Sequence, residues 1–228
     1  MKIERTTHRR SLLKLLLLSA SAVALGSCEV GIPTREVYVL LDISGSYFPR
    51  LLHNTRDFKS LVMPLAAGDN FVMAYIQSCS FTDTARILEI QMATRQAERH
   101  AQILQINDFV ENKLRLLTST THTDITGAII LATDYLRPSR SKRKSIIILS
   151  DMLEALPGTC IRPLLLDESI LDGFTIVIAN VGKSQEDNEN IDRYFSRLNS
   201  WTTKLQAAGA EVFIVNTITQ AAEIIRRI

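Results

Sequence analysis

The stretch VYVLLDISGS, residues 37–46, decides the fold and points to a binding site. Its first five residues are all apolar or aromatic, which predicts a strand buried on both faces. Asp42, Ser44 and Ser46 follow at alternate positions, with a glycine between the serines that permits a sharp turn. In open α/β sheets, ligands bind at the carboxyl ends of strands. One carboxylate and two hydroxyls there favour a hard cation, Mg²⁺ (or Mn²⁺ or Ca²⁺), over zinc.

Strand and helix patterns alternate along the rest of the chain. The third strand follows the second after a short turn at 82–83, so these two are predicted to be antiparallel. The pattern predicts an α/β fold: a doubly wound, Rossmann-like, mostly parallel six-stranded sheet with one antiparallel edge strand and helices on both faces. The predicted strands are 37–41, 71–76, 85–92, 146–149, 174–179 and 212–215, and the predicted helices are 49–67, 94–117, 126–136, 188–208 and 219–228.

Two more predicted strand ends or loops carry oxygen donors. Thr123 precedes Asp124 and the small-residue helix start at 126–128, and Asp151 follows the fourth strand. We expect these loops to lie at the same edge of the sheet as Asp42, because parallel strands end at one edge.

Together these motifs resemble the von Willebrand factor A-type (vWA) domain. VYVLLDISGS, GDNFVMAYI, TDITGAI and IIILSD match that family's pattern in its order, and the resemblance covers residues 36–228. It implies a vWA fold with a metal ion-dependent adhesion site, in which a divalent cation binds an acidic side chain of a partner protein. The implied metal-binding residues are Asp42, Ser44, Ser46, Thr123 and Asp151.

The chain departs from the family where Met152 stands in place of the usual glycine after the last aspartate. The loop that follows, 153–172, is also long, so ligand access is expected to differ from the typical adhesion site. The residues that adjoin the metal donors are candidates for a rim that faces the partner: Tyr47, His122, Asp124, Met152 and Glu154.

Residues 1–27 are predicted to be an export signal. Five basic residues and one acid accompany an apolar run that is too short for a convincing transmembrane span. LGSC at 25–28 resembles a bacterial lipobox, which implies cleavage before Cys28, lipidation of its thiol and a lipidated tether over 28–35. The protein is then exported and lipid-anchored to a bacterial cell membrane, the inner or the outer one. HRRSLLK at 8–14 fits the twin-arginine export route as well as the general secretory route.

The other two cysteines, Cys79 and Cys160, follow the second and fourth predicted strands. In the vWA strand order these strands flank the first one, so both cysteines fall near the metal-bearing edge. In an oxidising compartment they either form a disulfide or remain two separate thiols.

Composition excludes several classes of protein. The 228 residues are 46% hydrophobic and 22% charged, unlike a disordered chain, and three cysteines do not make a disulfide-framework miniprotein. Removal of residues 1–27 takes five of 26 basic and one of 24 acidic residues, so the net charge changes from +2 to −2.

The five basic residues within 137–144 lack an aromatic platform, which favours a solvated turn over nucleic-acid binding.

Common catalytic motifs are missing from the sequence, including His-Glu-x-x-His, Gly-x-Ser-x-Gly and the Walker loop. We therefore expect a non-enzymatic envelope protein that binds a protein partner through the cation. Two alternatives stay open. One is a metal-dependent hydrolase that uses the same site, with Glu154 or His122 as the base. The other is a structural envelope component with a vestigial metal site.

Overall fold

The computed structural model describes residues 35–80, 85–160 and 166–228. These described residues all belong to one compact unit. A six-stranded sheet has the order β3-β2-β1-β4-β5-β6, and every neighbouring pair is parallel except β2 and β3. This confirms the predicted fold class, including the antiparallel edge strand. The strands are β1 (Glu36–Asp42), β2 (Asn70–Ile76), β3 (Arg86–Gln91), β4 (Lys144–Leu149), β5 (Phe174–Ala179) and β6 (Glu211–Val215).

Helices cover both faces of the sheet. The helices are α1 (Phe48–His53), α2 (Lys59–Val62), α3 (Gln96–Asp108), α4 (Ile125–Leu136), α5 (Gln185–Glu189), α6 (Ile191–Ala207) and α7 (Ile218–Arg227). One apolar cluster joins α1, α2, α3 and α7 to the first face, and a second joins α4 and α6 to the other face. No helix in the described part of the chain is both long enough and apolar enough to cross a membrane.

Two predicted helices are each split by an asparagine. The helix predicted over 49–67 divides at Asn54, which leaves helical geometry (φ −100°, ψ 16°), and a 3₁₀ turn over Thr55–Phe58 leads into α2. The helix predicted over 188–208 divides at Asn190, which is extended. Its side-chain oxygen accepts a hydrogen bond from the backbone N–H of Asp192 and caps α6, a role that asparagine fills well at a helix start.

The helix predicted over 94–117 extends from Gln96 to Leu116 and changes type along its length. The α-helical part ends at Asp108, and a π turn over Phe109–Lys113 and a 3₁₀ turn over Leu114–Leu116 complete it. Val110 and Leu114 remain buried through these turns, so the changes in helix type keep the apolar side against the sheet.

The position of β1 places the site. All seven of its residues are buried, because β2 and β4 pair with it on either side and helices cover both faces. After β1 the chain builds β2 and β3 on one side and β4, β5 and β6 on the other, so the strand order reverses at β1. The carboxyl end of β1 is therefore the topological switch point, where doubly wound folds form a binding crevice.

The predicted export signal (1–27), the lipidation site Cys28 and the rest of the tether up to residue 34 lie outside the described residues. The turn predicted at 82–83 also falls outside them.

Candidate functional site

Asp42 ends β1 and is completely buried. Its Oδ1 accepts a hydrogen bond from the backbone N–H of Ser44 at 2.8 Å, and its Oδ2 accepts one from the hydroxyl of Ser150 at 2.5 Å. Both donors come from loops that follow adjacent strands, so the carboxylate is fixed in orientation by the sheet edge itself. The Ser44 N–H and the Ser150 hydroxyl are both electrically neutral donors.

Burial raises the pKa of the Asp42 carboxyl, because the charged form loses its hydration. The hydrogen bonds from Ser150 and Ser44 work in the opposite direction, and the negative charge of Asp151 adds to the rise in pKa. Asp151 is itself buried, and its Oδ1 accepts from the backbone N–H of Leu153 at 3.0 Å. Two carboxylates thus share a buried edge, an arrangement that a bound cation would stabilise.

The serine loop after β1 turns its hydroxyls toward each other. The Oγ atoms of Ser44 and Ser46 are 3.1 Å apart, and Ser44 is buried whereas Ser46 is exposed. The Ser44 carbonyl accepts from the backbone N–H groups of Tyr47 and Phe48, which ties the loop to the start of α1. The result is a hydroxyl pair that leads from the buried carboxylate to solvent.

The loop that carries Thr123 is attached to both neighbouring loops. Thr120 accepts from the Gly45 N–H at 2.9 Å and donates its own N–H to Ile43. Thr123 is buried and exchanges two backbone hydrogen bonds with Ala155, at 2.7 and 3.0 Å. The structure therefore brings together the loops after β1 and β4 and the loop before α4, which carry all five predicted metal-binding residues.

Asp124, which the sequence placed at the partner-facing rim, is instead fully buried. It caps α4: its Oδ1 accepts from the N–H of Gly127 at 2.8 Å, and its Oδ2 accepts from the N–H of Ser80 at 2.9 Å. A Cβ atom at position 127 would lie 2.3 Å from the Asp124 carboxylate, so a larger residue there would displace the capping carboxylate. The carboxylate is used within the fold and is not available to a partner.

Tyr47 and Met152 are also buried, which corrects their prediction as rim residues. The Tyr47 hydroxyl donates to the carbonyl of Asn180 at 3.0 Å. Met152 adopts a left-handed conformation (φ 61°) and packs into the second apolar cluster, and its carbonyl accepts from Trp201 Nε1 at 2.9 Å. The loop after β4 thus folds back onto α6, where the apolar Met152 side chain is removed from solvent.

His122 and Glu154, the other two predicted rim residues, remain partly exposed. A ring nitrogen of His122 lies 2.9 Å from the Thr121 hydroxyl. Glu154 accepts a hydrogen bond from the backbone N–H of Thr126 at 2.7 Å, in the first turn of α4.

Cys79 and Cys160 form a disulfide in the structure, with their Cα atoms 5.7 Å apart. The bond joins the loop after β2 to the long loop after β4. The sulfurs and the Asp124 carboxylate lie within 4.8 Å of one another, a grouping of atom types that could hold a metal. Because the sulfurs are bonded to each other, neither is a thiolate, and the thiolate is the form that ligates metals. The disulfide therefore links two loops and does not supply thiolate ligands for a metal.

Sequence reasoning missed two residues at this edge. Ser150 is not among the predicted metal-binding residues, although its hydroxyl makes the shortest contact with Asp42. Asn180, in a left-handed conformation (φ 54°) just after β5, accepts at its carbonyl from Tyr47 and from Arg50 Nε. A serine before a strand-end aspartate could have been recognised as a hydroxyl donor, whereas nothing in the sequence connects Asn180 with residues about 130 positions away.

No family model matches this chain, and no curated protein matches it. Among solved structures, a mutant of the PilB minor pilin from Streptococcus sanguinis superposes with a TM-score of 0.51 at 11% identity, over 86% of this chain and 61% of that one. "von Willebrand factor type A from Catenulispora acidiphila" gives a TM-score of 0.44 at 15% identity, over 86% of this chain and 42% of that one.

A third similar structure is the manganese-loaded TRAP protein of Plasmodium vivax, with a TM-score of 0.46 at 14% identity. It is matched over 84% of this chain and 72% of that one. At such identities the likeness concerns the fold alone. This chain spans less than half the length of the Catenulispora protein.

Proposed function

We propose that this chain is an exported, lipid-anchored envelope protein that binds a partner protein through a divalent cation. The cation would be held by Asp42, Ser44, Ser46, Thr123 and Asp151. One observation carries the proposal: among the described residues, the fully buried Asp42 carboxylate contacts only neutral donors, although a second carboxylate lies close enough to raise its pKa. A cation from solution is the missing counter-charge.

The chemistry of the donors fits a hard cation. Hydroxyl and carboxylate oxygens suit Mg²⁺, Mn²⁺ or Ca²⁺, which retain water or accept further oxygen ligands. The Ser44 and Ser46 hydroxyls are neutral, so two carboxylates are the only negative charges in the proposed set. An acidic side chain of a partner would complete the coordination, and the exposed Ser46 lies where such a group could enter. The proposed role is therefore cation-dependent protein binding.

Metal binding is tested by isothermal titration of the purified chain with MgCl₂ and MnCl₂. We expect saturable binding of one ion, lost in Asp42→Asn. Asp57→Asn is the matched control, because Asp57 is exposed and lies on the 3₁₀ turn between α1 and α2. No binding by the unaltered chain, or equal binding by Asp42→Asn, would refute the metal site.

Partner binding is tested by affinity capture from envelope extracts with the unaltered chain and with Asp42→Asn. The expected result is a protein retained in Mg²⁺, released by EDTA and missing from the Asp42→Asn capture. Retention that is indifferent to both EDTA and the substitution would show that the partner binds elsewhere.

The anchor requires a separate test, since it depends on residues outside the described ones. Cells that express the unaltered chain or Cys28→Ser are fractionated after metabolic labelling with a radioactive fatty acid. We expect label and membrane association only with Cys28 present. A Cys28→Ser chain that stays in the membrane fraction would rule out lipid anchoring at this residue.

A further inference from the structure

The strand β6 lies at one edge of the sheet and pairs only with β5 there. Its Val215 carbonyl accepts from the Asn180 N–H on the β5 side. Because backbone groups of alternate residues point to opposite sides of a strand, Val212 and Ile214 direct their N–H and C=O groups outward. Among the described residues, none bonds to these four groups. The edge can therefore accept another strand.

The two edges of the sheet differ in how they are protected. At β3, the register shifts between Met73 and Ala74 of β2, and Arg86 and Glu89 place charges along the edge. Bulges and charges of this kind prevent strand pairing between molecules. At β6, Glu211 is followed by four apolar residues, without proline, lysine or a register shift. This edge lacks the usual protection.

A groove of about 690 Å³ runs between β6 and α6 on one face of the edge. Tyr194, Phe195, Leu198 and Ile214 line it. Phe195 is 59% exposed and Ile214 41%, which is high for side chains of this size. Large apolar groups beside an open strand edge are typical of a surface that another protein covers.

A second groove of about 260 Å³ lies on the other face, between β6 and α7. It contains one acid and one base, Glu223 and Arg227, beside Ile224. In a two-fold interface each patch meets its own copy, so an acid and a base in the same groove can pair reciprocally with those of the second copy. The charges of this groove are thus self-complementary.

We propose that two copies of this chain associate through antiparallel pairing of their β6 strands about a two-fold axis at Phe213. Val212 of one copy then lies opposite Ile214 of the second copy, and the reverse, so the four outward backbone groups on each strand are satisfied. Two six-stranded sheets become one continuous sheet, and Phe195 of each copy lies at the junction of the two grooves between β6 and α6. The self-complementary charges favour a second copy over an unrelated strand.

The test is sedimentation equilibrium of the full-length chain in density-matched detergent, from about 10 µM to about 500 µM. We expect a monomer–dimer equilibrium that is weakened at least about tenfold in Ile214→Lys and in Phe195→Lys. The matched control is Leu104→Lys, which alters an exposed leucine on α3 and should leave the equilibrium unchanged. Circular dichroism confirms that each variant is folded.

Amide hydrogen exchange provides a second measurement. Exchange at Val212 and Ile214 should slow as the concentration of the chain rises, and EDTA should have no effect, so the result is independent of the proposed cation site. A chain that stays monomeric throughout, or variants at β6 that dimerise as well as the unaltered chain, would overturn the proposal. A foreign strand that protects these amides while the chain alone stays monomeric would also overturn it.

Discussion

Asp42 and Asp69 are completely buried at opposite ends of the sheet, and the surroundings of their charges differ. Asp69 lies at the amino end, just before β2, and its Oδ2 is 2.6 Å from Nη2 and 2.8 Å from Nε of Arg35. Asp42 lies at the carboxyl end of β1 and accepts from the Ser44 N–H and the Ser150 hydroxyl. One carboxylate has a cation within the chain, and the other has only neutral donors among the described residues.

The difference separates a charge that is balanced within the fold from one that the proposed cation would balance. Arg35 also donates to the carbonyls of Pro64 and Ile225, so its guanidinium joins the start of β1 to the ends of two helices. Asp69 therefore belongs to a closed, internally neutral cluster. Burial raises the pKa of the Asp42 carboxyl. The negative charge of the nearby Asp151 raises that pKa further. In the proposed function, the bound cation supplies the positive charge that Asp42 and Asp151 lack.

The largest effect is expected when the internal pair is broken. Arg35→Met leaves the Asp69 charge buried without its cation and removes the bonds to Pro64 and Ile225. Loss of one partner of a buried pair costs about 3–5 kcal/mol. We expect a decrease of that size in the free energy of unfolding, measured by urea denaturation, with the same decrease in Mg²⁺ and in EDTA. Rescue of Arg35→Met by Mg²⁺ would show that the two ends of the sheet are not independent.

Much of this architecture could be predicted from the sequence, because continuous apolar runs between polar loops mark parallel strands. The run 37–41 located β1, and the order of strands and helices put Asp42, Thr123 and Asp151 at one edge. The pairing of Arg35 with Asp69 could not be predicted, since it connects residues 34 positions apart through tertiary packing. Local sequence patterns carry little information on which buried carboxylate forms an ion pair.

Predictions about loops failed for a related reason. Tyr47, Asp124 and Met152 are predicted to face the partner because they adjoin the predicted metal donors, yet each is buried. Their surroundings come from elements distant in sequence: Asn180 for Tyr47, Ser80 for Asp124 and Trp201 for Met152. In a doubly wound sheet, loops at one edge pack on each other, and burial there depends on the whole strand order.

Substitution of the unbalanced aspartate should have an intermediate effect that appears only with metal. At a cation concentration about 100 times Kd, ligand binding stabilises a fold by about 2.7 kcal/mol. The unaltered chain should gain about that amount when MgCl₂ replaces EDTA, and Asp42→Asn should gain nothing. Without metal, Asp42→Asn should unfold at a similar or slightly higher urea concentration, because it removes a buried charge. A large loss of stability in EDTA would instead give Asp42 a structural role like that of Asp69.

A third carboxylate sharpens the comparison, since Asp187 follows β5 at the same end of the sheet as Asp42 but has its own cation. Arg197 donates to both of its carboxylate oxygens, at 2.9 and 2.5 Å. Those bonds lower the pKa of Asp187 from 3.8 to about 2. A lowered folded-state pKa contributes stability above the unfolded value near 3.8, and this contribution is lost as pH falls toward about 2.

Arg197→Met should therefore lower the free energy of unfolding by about 2 kcal/mol at pH 7, and the difference from the unaltered chain should shrink between pH 4 and pH 2. Arg193→Met is the control, because the pair that Arg193 forms with Glu186 is exposed and should contribute little at any pH. Urea denaturation at a series of pH values measures both. If the Arg197→Met difference persisted at pH 2, the guanidinium would act through packing and not through charge. The contrast with the Asp42 carboxylate would then rest on Asp69 alone.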